Sequence, residues 1–300
     1  MSMLVVGSVA LDTVKTIHGE REEDLGGSAS YFSVAARHFR PVSMVAVVGE
    51  DFPPEHLGFF RERDIDTSGL VAASGKTFRW GGVYGADGNT RETLFTHLNV
   101  FADFSPQLTA AHRDCDHVFL ANIHPDLQRS VLDQVKRPRL VVLDTMNYWI
   151  EGTRDSLLAT LGRVDTVLLN EEEARMLTGE TNLIRAARAV LDLGPSLAVI
   201  KKGEHGSLVV SNRFLFSAPS FPVESVWDPT GAGDTFAGGF VGYLAASGEE
   251  GSESEIRKAT IYGTVLASFT VESFGLERLG RVSREEIEER YGEIERLTRF

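Results

Sequence analysis

The 300-residue chain has a single cysteine, Cys115, so no internal disulfide and no cysteine-built zinc site can form. Its eight histidines are scattered, with no HxxxH or HExxH spacing, which removes the usual imidazole metal sites. Positive charge is also scarce: 30 Lys and Arg stand against 43 Asp and Glu, a formal net charge of −13. Without a broad basic surface, neither nucleic acid nor an anionic membrane is an expected partner, although a small anionic ligand needs only a local cluster of donors. No apolar run approaches the roughly 18–20 residues that cross a bilayer. The opening stretch MSMLVVGSVALD lacks the charged-then-apolar order of a secretion signal, and the expected location is cytoplasmic. No GxGxxG joins a strand to a helix, so a dinucleotide-dependent dehydrogenase is set aside.

What is present is a 42% hydrophobic chain able to bury a large core, expected to fold as one α/β unit over residues 1–300. Short β-branched runs recur between helical patterns: LVVGSV near residue 4, SMVAVVG near 43, HVFLAN near 117, LVVLD at 140–144, TVLLN at 166–170 and LAVIKKG near 197. Each is mostly apolar on both faces, as strands covered by helices on both sides must be. Alternation with helical stretches such as EEARMLTG and LIRAARAVLDLG predicts a doubly wound, mainly parallel sheet with helices on both faces. One segment breaks the rhythm. Residues 76–84 alternate in period two, Ala86-Asp87-Gly88-Asn89 is turn-like, and a second run follows to Thr96. This predicts a β-hairpin outside the main sheet around 76–96: a lid over a site, an edge hairpin that merely covers the sheet, or a homodimer surface, the last because a lone two-stranded ribbon is marginal in water. The acidic stretch GEEGSESE at 248–255 and the C-terminal SREEIEERYGEIERLTRF read as solvated faces.

Two stretches invite a phosphate-binding reading. Gly75-Lys76-Thr77 resembles the end of a GxxxxGK[ST] loop, but the required glycine is replaced by Leu70, and the stretch opens the hairpin instead of linking a strand to a helix. The second is DPTGAGDTFAGGF, Asp228–Phe240, which leads into the apolar run FVGYLAA. Gly231, Ala232 and Gly233 have almost no side chain, so a ligand can approach their backbone. A helix beginning here has unpaired N–H groups and a partial positive charge at its start. Together these make an anion pocket. Asp234, in the first turn, is then placed to accept a proton from a hydroxyl attacking a phosphoryl group. The ordinary reading is that a first-turn Asp stabilises the helix by about 0.3–1 kcal/mol and that the glycines permit close packing.

DPTGAGDTFAGGF resembles the second signature of the ribokinase, or PfkB, family of sugar and nucleoside kinases, and the resemblance continues along the chain. Gly26-Gly27-Ser28-Ala29-Ser30-Tyr31 is similar to the first signature, Asn170-Glu171-Glu172-Glu173 to the NxxE motif, and Lys202-Gly203-Glu204-His205-Gly206 to the GxxG turn near the nucleotide; the 76–96 excursion takes the place of the family's lid. The resemblance implies a ribokinase-like fold and an ATP-dependent kinase acting on a sugar, polyol or nucleoside. It implies Asp234 as catalytic base and the amides of Gly231, Ala232 and Gly233 as the anion hole. Asn170 and Glu173 would organise Mg²⁺ and phosphates, through water in the case of Glu173; Lys202, Gly203 and Gly206 would lie by the nucleotide. Asp228 and Thr230 would contribute to a monovalent-cation site for K⁺. Asp12 would hold acceptor hydroxyls, with Gly27 backbone close by. Where ribokinase-type sites carry Asn four residues after the second glycine, this chain has Tyr31, whose ring would stack on a base or a less polar sugar face. That departure weakens ribose and admits a nucleoside or cyclitol. A small sugar or polyol is the leading acceptor; a nucleoside kinase, or a catalytically silent nucleotide-binding regulator, is the alternative.

Overall fold

Strands apolar on both faces need a covering layer on each side. The structure, a computed structural model describing residues 2–86, 88 and 90–299, meets that need with two sheets and a double layer of helices. In chain order the strands are β1 (Met3–Val6), β2 (Ala10–Thr16), β3 (Gly19–Gly26), β4 (Val42–Gly49), β5 (Asp66–Ala73), β6 (Phe78–Tyr84), β7 (Arg91–His97), β8 (His117–Leu120), β9 (Leu140–Asp144), β10 (Thr166–Asn170), β11 (Leu197–Lys201), β12 (Ser207–Ser211) and β13 (Leu215–Ala218). The larger sheet runs β13-β12-β11-β10-β9-β8-β1-β4-β5. It is parallel from β11 to β5 and ends in two antiparallel pairs, β11–β12 and β12–β13. All six apolar runs read from the sequence are strands of its parallel part.

Alternation along each strand feeds two separate cores. In β1, Met3 and Val5 enter one cluster and Leu4 and Val6 the other. The first cluster is closed by the helices Ser28–Ala36, Ala232–Ser247 and Glu253–Thr270, the second by helices that include Pro125–Gln134, Glu171–Thr178 and Leu183–Leu191. Helix Ala232–Ser247 is wedged between its two neighbours. A Cβ at Gly238 would lie 2.5 Å from the Phe32 carbonyl oxygen, and one at Gly239 2.8 Å from that of Tyr262. These two glycines of the GAGDTFAGGF stretch therefore serve packing.

The smaller sheet, β3-β2-β6-β7, departs from the expected hairpin. The β6–β7 hairpin forms, but β6 also pairs in parallel with β2, which pairs antiparallel with β3. The charged β3 sequence GEREEDLG has no apolar alternation to announce it; its first five residues are exposed. Of the turn residues, Asp87 and Asn89 lie outside the described residues. In the rejected phosphate-loop stretch, Thr77 is buried and its amide and hydroxyl both donate to Asp51 Oδ1, at 2.7 and 2.8 Å, fixing the passage into the lid.

Phe32 stacks on Phe119 with ring centroids 4.2 Å apart, joining helix Ser28–Ala36 to the centre of the sheet. Phe32→Ala is expected to cost about 3–5 kcal/mol in urea denaturation. Leu94→Ala, at a lid position 54% exposed, should stay within about 0.5 kcal/mol of the parent.

Candidate active site

Three neighbouring parallel strands end in polar side chains at one edge of the sheet: Asp144 on β9, Asn170 on β10 and Lys201 on β11. The carboxyl edge of an open α/β sheet is where ligands bind, because the loops and helix starts gather there. Asn170 caps the helix Glu171–Thr178. Its side chain accepts from the Glu173 amide at 2.8 Å, and Glu173 Oε2 accepts from the Asn170 amide at 2.7 Å. The NxxE motif is thus a reciprocal capping box, each side chain satisfying one orphan donor. It also holds Glu173, 8% exposed, within the field of Lys201 and Asp144, and burial pushes its carboxyl up to about 7.

Helix Ala232–Ser247 starts at the same edge. Gly231 has φ 73°, and a Cβ there would overlap the Tyr31 ring, so only glycine fits this bend. The bend divides the expected anion hole. The Ala232 amide donates to the Pro229 carbonyl at 3.2 Å, closing a tight turn, whereas the amides of Gly231 and Gly233 have no hydrogen-bond partner among the described residues. The free donors are therefore two and not three. Asp234 is half-buried in the first turn; burial, then the charge of Asp144, pushes its carboxyl up to about 7 against the pull of Lys201.

On the side of the small sheet, Asp12 stands on β2 where the chain crosses into the lid, 7% exposed. Gly26 leaves room for its carboxylate, since a Cβ there would fall 1.9 Å from Asp12 Oδ2. The Gly27 amide donates to the carboxylate, with Gly27 itself at φ 93° at the start of helix Ser28–Ala36. Burial, then the charges of Asp228, Asp234 and Asp24, push Asp12 up to about 8 despite that amide.

Several expected roles change. Tyr31 does not line an open cleft: every residue of helix Ser28–Ala36 is buried, and the ring, 2% exposed, packs beneath Gly231. Asp228 is 1% exposed and both its oxygens are engaged, Oδ1 by the Thr230 amide at 2.8 Å and Oδ2 by the Gly275 amide at 3.0 Å. Thr230 Oγ1 donates to Tyr84 Oη of the lid at 3.2 Å. The pair braces the loop before the helix and ties it to β6. Lys202 gives way to Lys201: strand alternation sends Lys201 inward, where it lines a cavity of about 440 Å³ with Gly203, Gly206, Ala232, Gly233 and Phe236, and Lys202 is absent from that lining. Lys201 Nζ donates to Asp144 Oδ2 at 2.9 Å. Burial works to discharge Lys201, but the charges of Asp144 and Glu173 outweigh it and hold its pKa above the ordinary value. Asp144 was not singled out from the sequence; its signal was a carboxylate closing an otherwise apolar parallel strand.

The model of the pfkB family of carbohydrate kinases matches residues 4–279. The chain belongs to this family. Among its relatives, a cytidine kinase from Thermococcus kodakarensis is 33% identical over 246 residues, covering 80% of this chain and 87% of the relative. A ribokinase from Haemophilus influenzae is 24% identical over 299 residues, covering 92% and 94%. Among solved structures, an E. coli chain assigned as a ribokinase II, in complex with ATP and Mg²⁺, superposes with a TM-score of 0.81 at 20% identity, over 97% of this chain and 99% of the other. The fold is the ribokinase fold, and the chain is a kinase of the pfkB family.

The site suits a metal carried in on phosphates. Among the described residues no group of three His, Cys, Asp or Glu side chains is arranged to cage an ion. Mg²⁺ keeps much of its water and binds through one or two carboxylates plus substrate phosphates, which the sparse set around Glu173 fits.

The raised carboxyls couple the site to pH. Asp12 and Asp234 hold their protons in the folded state up to about 8 and 7, against 3.8 ordinarily. Between those values the unfolded chain has released protons that the folded one retains, so stability falls as pH rises through the window. The Tm of the ligand-free protein should decline between pH 5 and pH 8, and Asp12→Asn or Asp234→Asn should flatten that decline. Differential scanning fluorimetry across pH measures both slopes; parallel slopes in parent and variants would remove these carboxyls as the cause.

Proposed function

We propose that this pfkB-family kinase transfers the γ-phosphoryl group of ATP to a hydroxyl of a neutral, polyhydroxylated acceptor, and that the acceptor is a nucleoside. The observation that carries the catalytic reading is Asp234 in the first turn of a helix whose start offers the free amides of Gly231 and Gly233. The carboxylate takes the hydroxyl proton as the acceptor oxygen attacks, and the two amides donate to the oxygens of the phosphoryl group in transit. Little covalent chemistry is asked of the protein, so positioning and charge stabilisation supply most of the rate. Glu173 and Asn170 would hold Mg²⁺ beside the phosphates, and the metal would supply neutralisation of their charge. The likeness to an E. coli chain solved with ATP and Mg²⁺ supports this donor.

The acceptor class follows from charge. Asp12 shares a poorly screening interior with Asp228, Asp234 and Asp24, where burial and mutual repulsion already oppose ionisation, so a further negative charge such as that of a sugar phosphate is disfavoured on this side. Once ionised, the Asp12 carboxylate can accept from two adjacent hydroxyls, as a ribose moiety presents them. The 33% identity to a cytidine kinase over 80% of the chain favours a nucleoside. A free sugar or polyol is the second reading, favoured by the ribokinase relative.

ADP release with Mg-ATP across nucleosides, sugars, cyclitols and sugar phosphates tests the proposal. Turnover is expected with a nucleoside and absent with sugar phosphates; efficient turnover of a phosphorylated acceptor would sink the charge argument. Asp234→Asn should lower kcat by about 10²–10⁴-fold with little change in KM, and activity within a few-fold of the parent would remove Asp234 as base. Because the base must be ionised, kcat/KM of the parent should fall as pH drops below about 7, the value to which burial and Asp144 bring Asp234.

A further inference from the structure

Lys201 has no part in the base-and-amide reading, yet it stands at the centre of the site. It closes β11 at the carboxyl edge of the sheet, with only 18% of its side chain exposed, and lines the cavity of about 440 Å³. A Cβ at Gly233 would fall 3.1 Å from Lys201 Nζ, so the ammonium stands beside one of the two free amides of the helix start. A second observation points to a ligand. Across the antiparallel ladder Lys201 pairs with Ser207, which is 1% exposed, lines the same cavity, and has a hydroxyl with no hydrogen-bond partner among the described residues. A buried hydroxyl without a partner is costly, and one belonging to the lining of a ligand cavity calls for a partner that a bound molecule can bring. One wall of this acidic protein thus sets the Lys201 ammonium and the Gly233 amide on one space, with Ser207, its hydroxyl unpartnered among the described residues, in the same lining.

We propose that Lys201 is a catalytic residue: its ammonium contacts oxygens of the transferring γ-phosphoryl group of the donor nucleotide, alongside the Gly231 and Gly233 amides. The proposal rests on the reading of residues 231–234 as the phosphoryl-transfer centre. A compact ammonium on a flexible stem can turn from Asp144 towards a phosphate without moving backbone. Fixed positive charge in a water-poor site stabilises the charge that the phosphoryl group carries between donor and acceptor. The competing role is purely structural, in which Lys201 neutralises Asp144, because a buried carboxylate stripped of its partner is strongly unfavourable.

The two roles separate in nucleotide binding. In Lys201→Met, calorimetric titration should show the affinity for the non-hydrolysable ATP analogue AMP-PNP falling roughly 10- to 100-fold, the loss of one charged hydrogen bond, while ADP stays within about twofold. The kcat should fall with the acceptor KM unchanged. Equal losses for AMP-PNP and ADP, no loss for either, or recovery of AMP-PNP affinity when Asp144→Asn is added would each overturn the proposal. If Lys201→Met melts well below the parent, Lys201→Gln, which still donates to Asp144, is read by the same criteria. Asp234→Asn in parallel keeps the two claims apart. Parent-like turnover in that variant with a selective AMP-PNP loss in Lys201→Met rejects the base and retains the lysine; the converse pattern rejects the lysine alone.

Discussion

The site depends on how closely helix Ala232–Ser247 can approach the helices on either side of it. Gly238 meets the backbone of Ser28–Ala36 and Gly239 that of Glu253–Thr270, and a methyl group at either would collide with a carbonyl oxygen. Interiors packed at crystal-like density transmit such a displacement instead of absorbing it. The approach fixes where the helix begins, and the left-handed bend at Gly231 sets its first amides at the carboxyl edge of the sheet. Tyr31, from the neighbouring helix, fills the space beneath that bend. The segment proposed for catalysis is thus held from below by packing and from the side by Asp228, whose two oxygens accept from the amides of Thr230 and Gly275.

Above this frame the chain concentrates carboxyl groups where water is scarce. Asp12, Glu173 and Asp234 are all pushed towards neutrality by burial. Such strain on ionisation is tolerated at sites that use it: a carboxyl poised near 7 is a better proton acceptor than one at its ordinary value. Lys201 is the countervailing charge, paired with Asp144 and close to the helix start. The lid completes the arrangement from an unexpected quarter. β2 carries Asp12 and forms the seam between the two β6–β7 and β3 edges of the small sheet, so the residue proposed to grip the acceptor is part of the cover over it.

The sequence by itself determined the parallel sheet and the order of the motifs along it. Runs such as LVVLD and TVLLN are apolar on both faces, and that property is local enough to read without coordinates. The start of helix Ala232–Ser247 was legible for the same reason, since a Gly-Ala-Gly-Asp stretch before an apolar run constrains its own backbone. Only the tertiary structure decided what depends on facing and on company. Whether Lys201 or Lys202 points inward turns on strand alternation in register with β12. The NxxE motif becomes a capping box only once its helix forms, and Tyr31 becomes a support only because its helix is buried on every side. The Ala232 amide is spent on Pro229 through the bend at Gly231, a contact no spacing of residue types announces. The charged strand β3 carries no apolar pattern and is a strand only because β2 offers it a ladder of hydrogen-bonding partners.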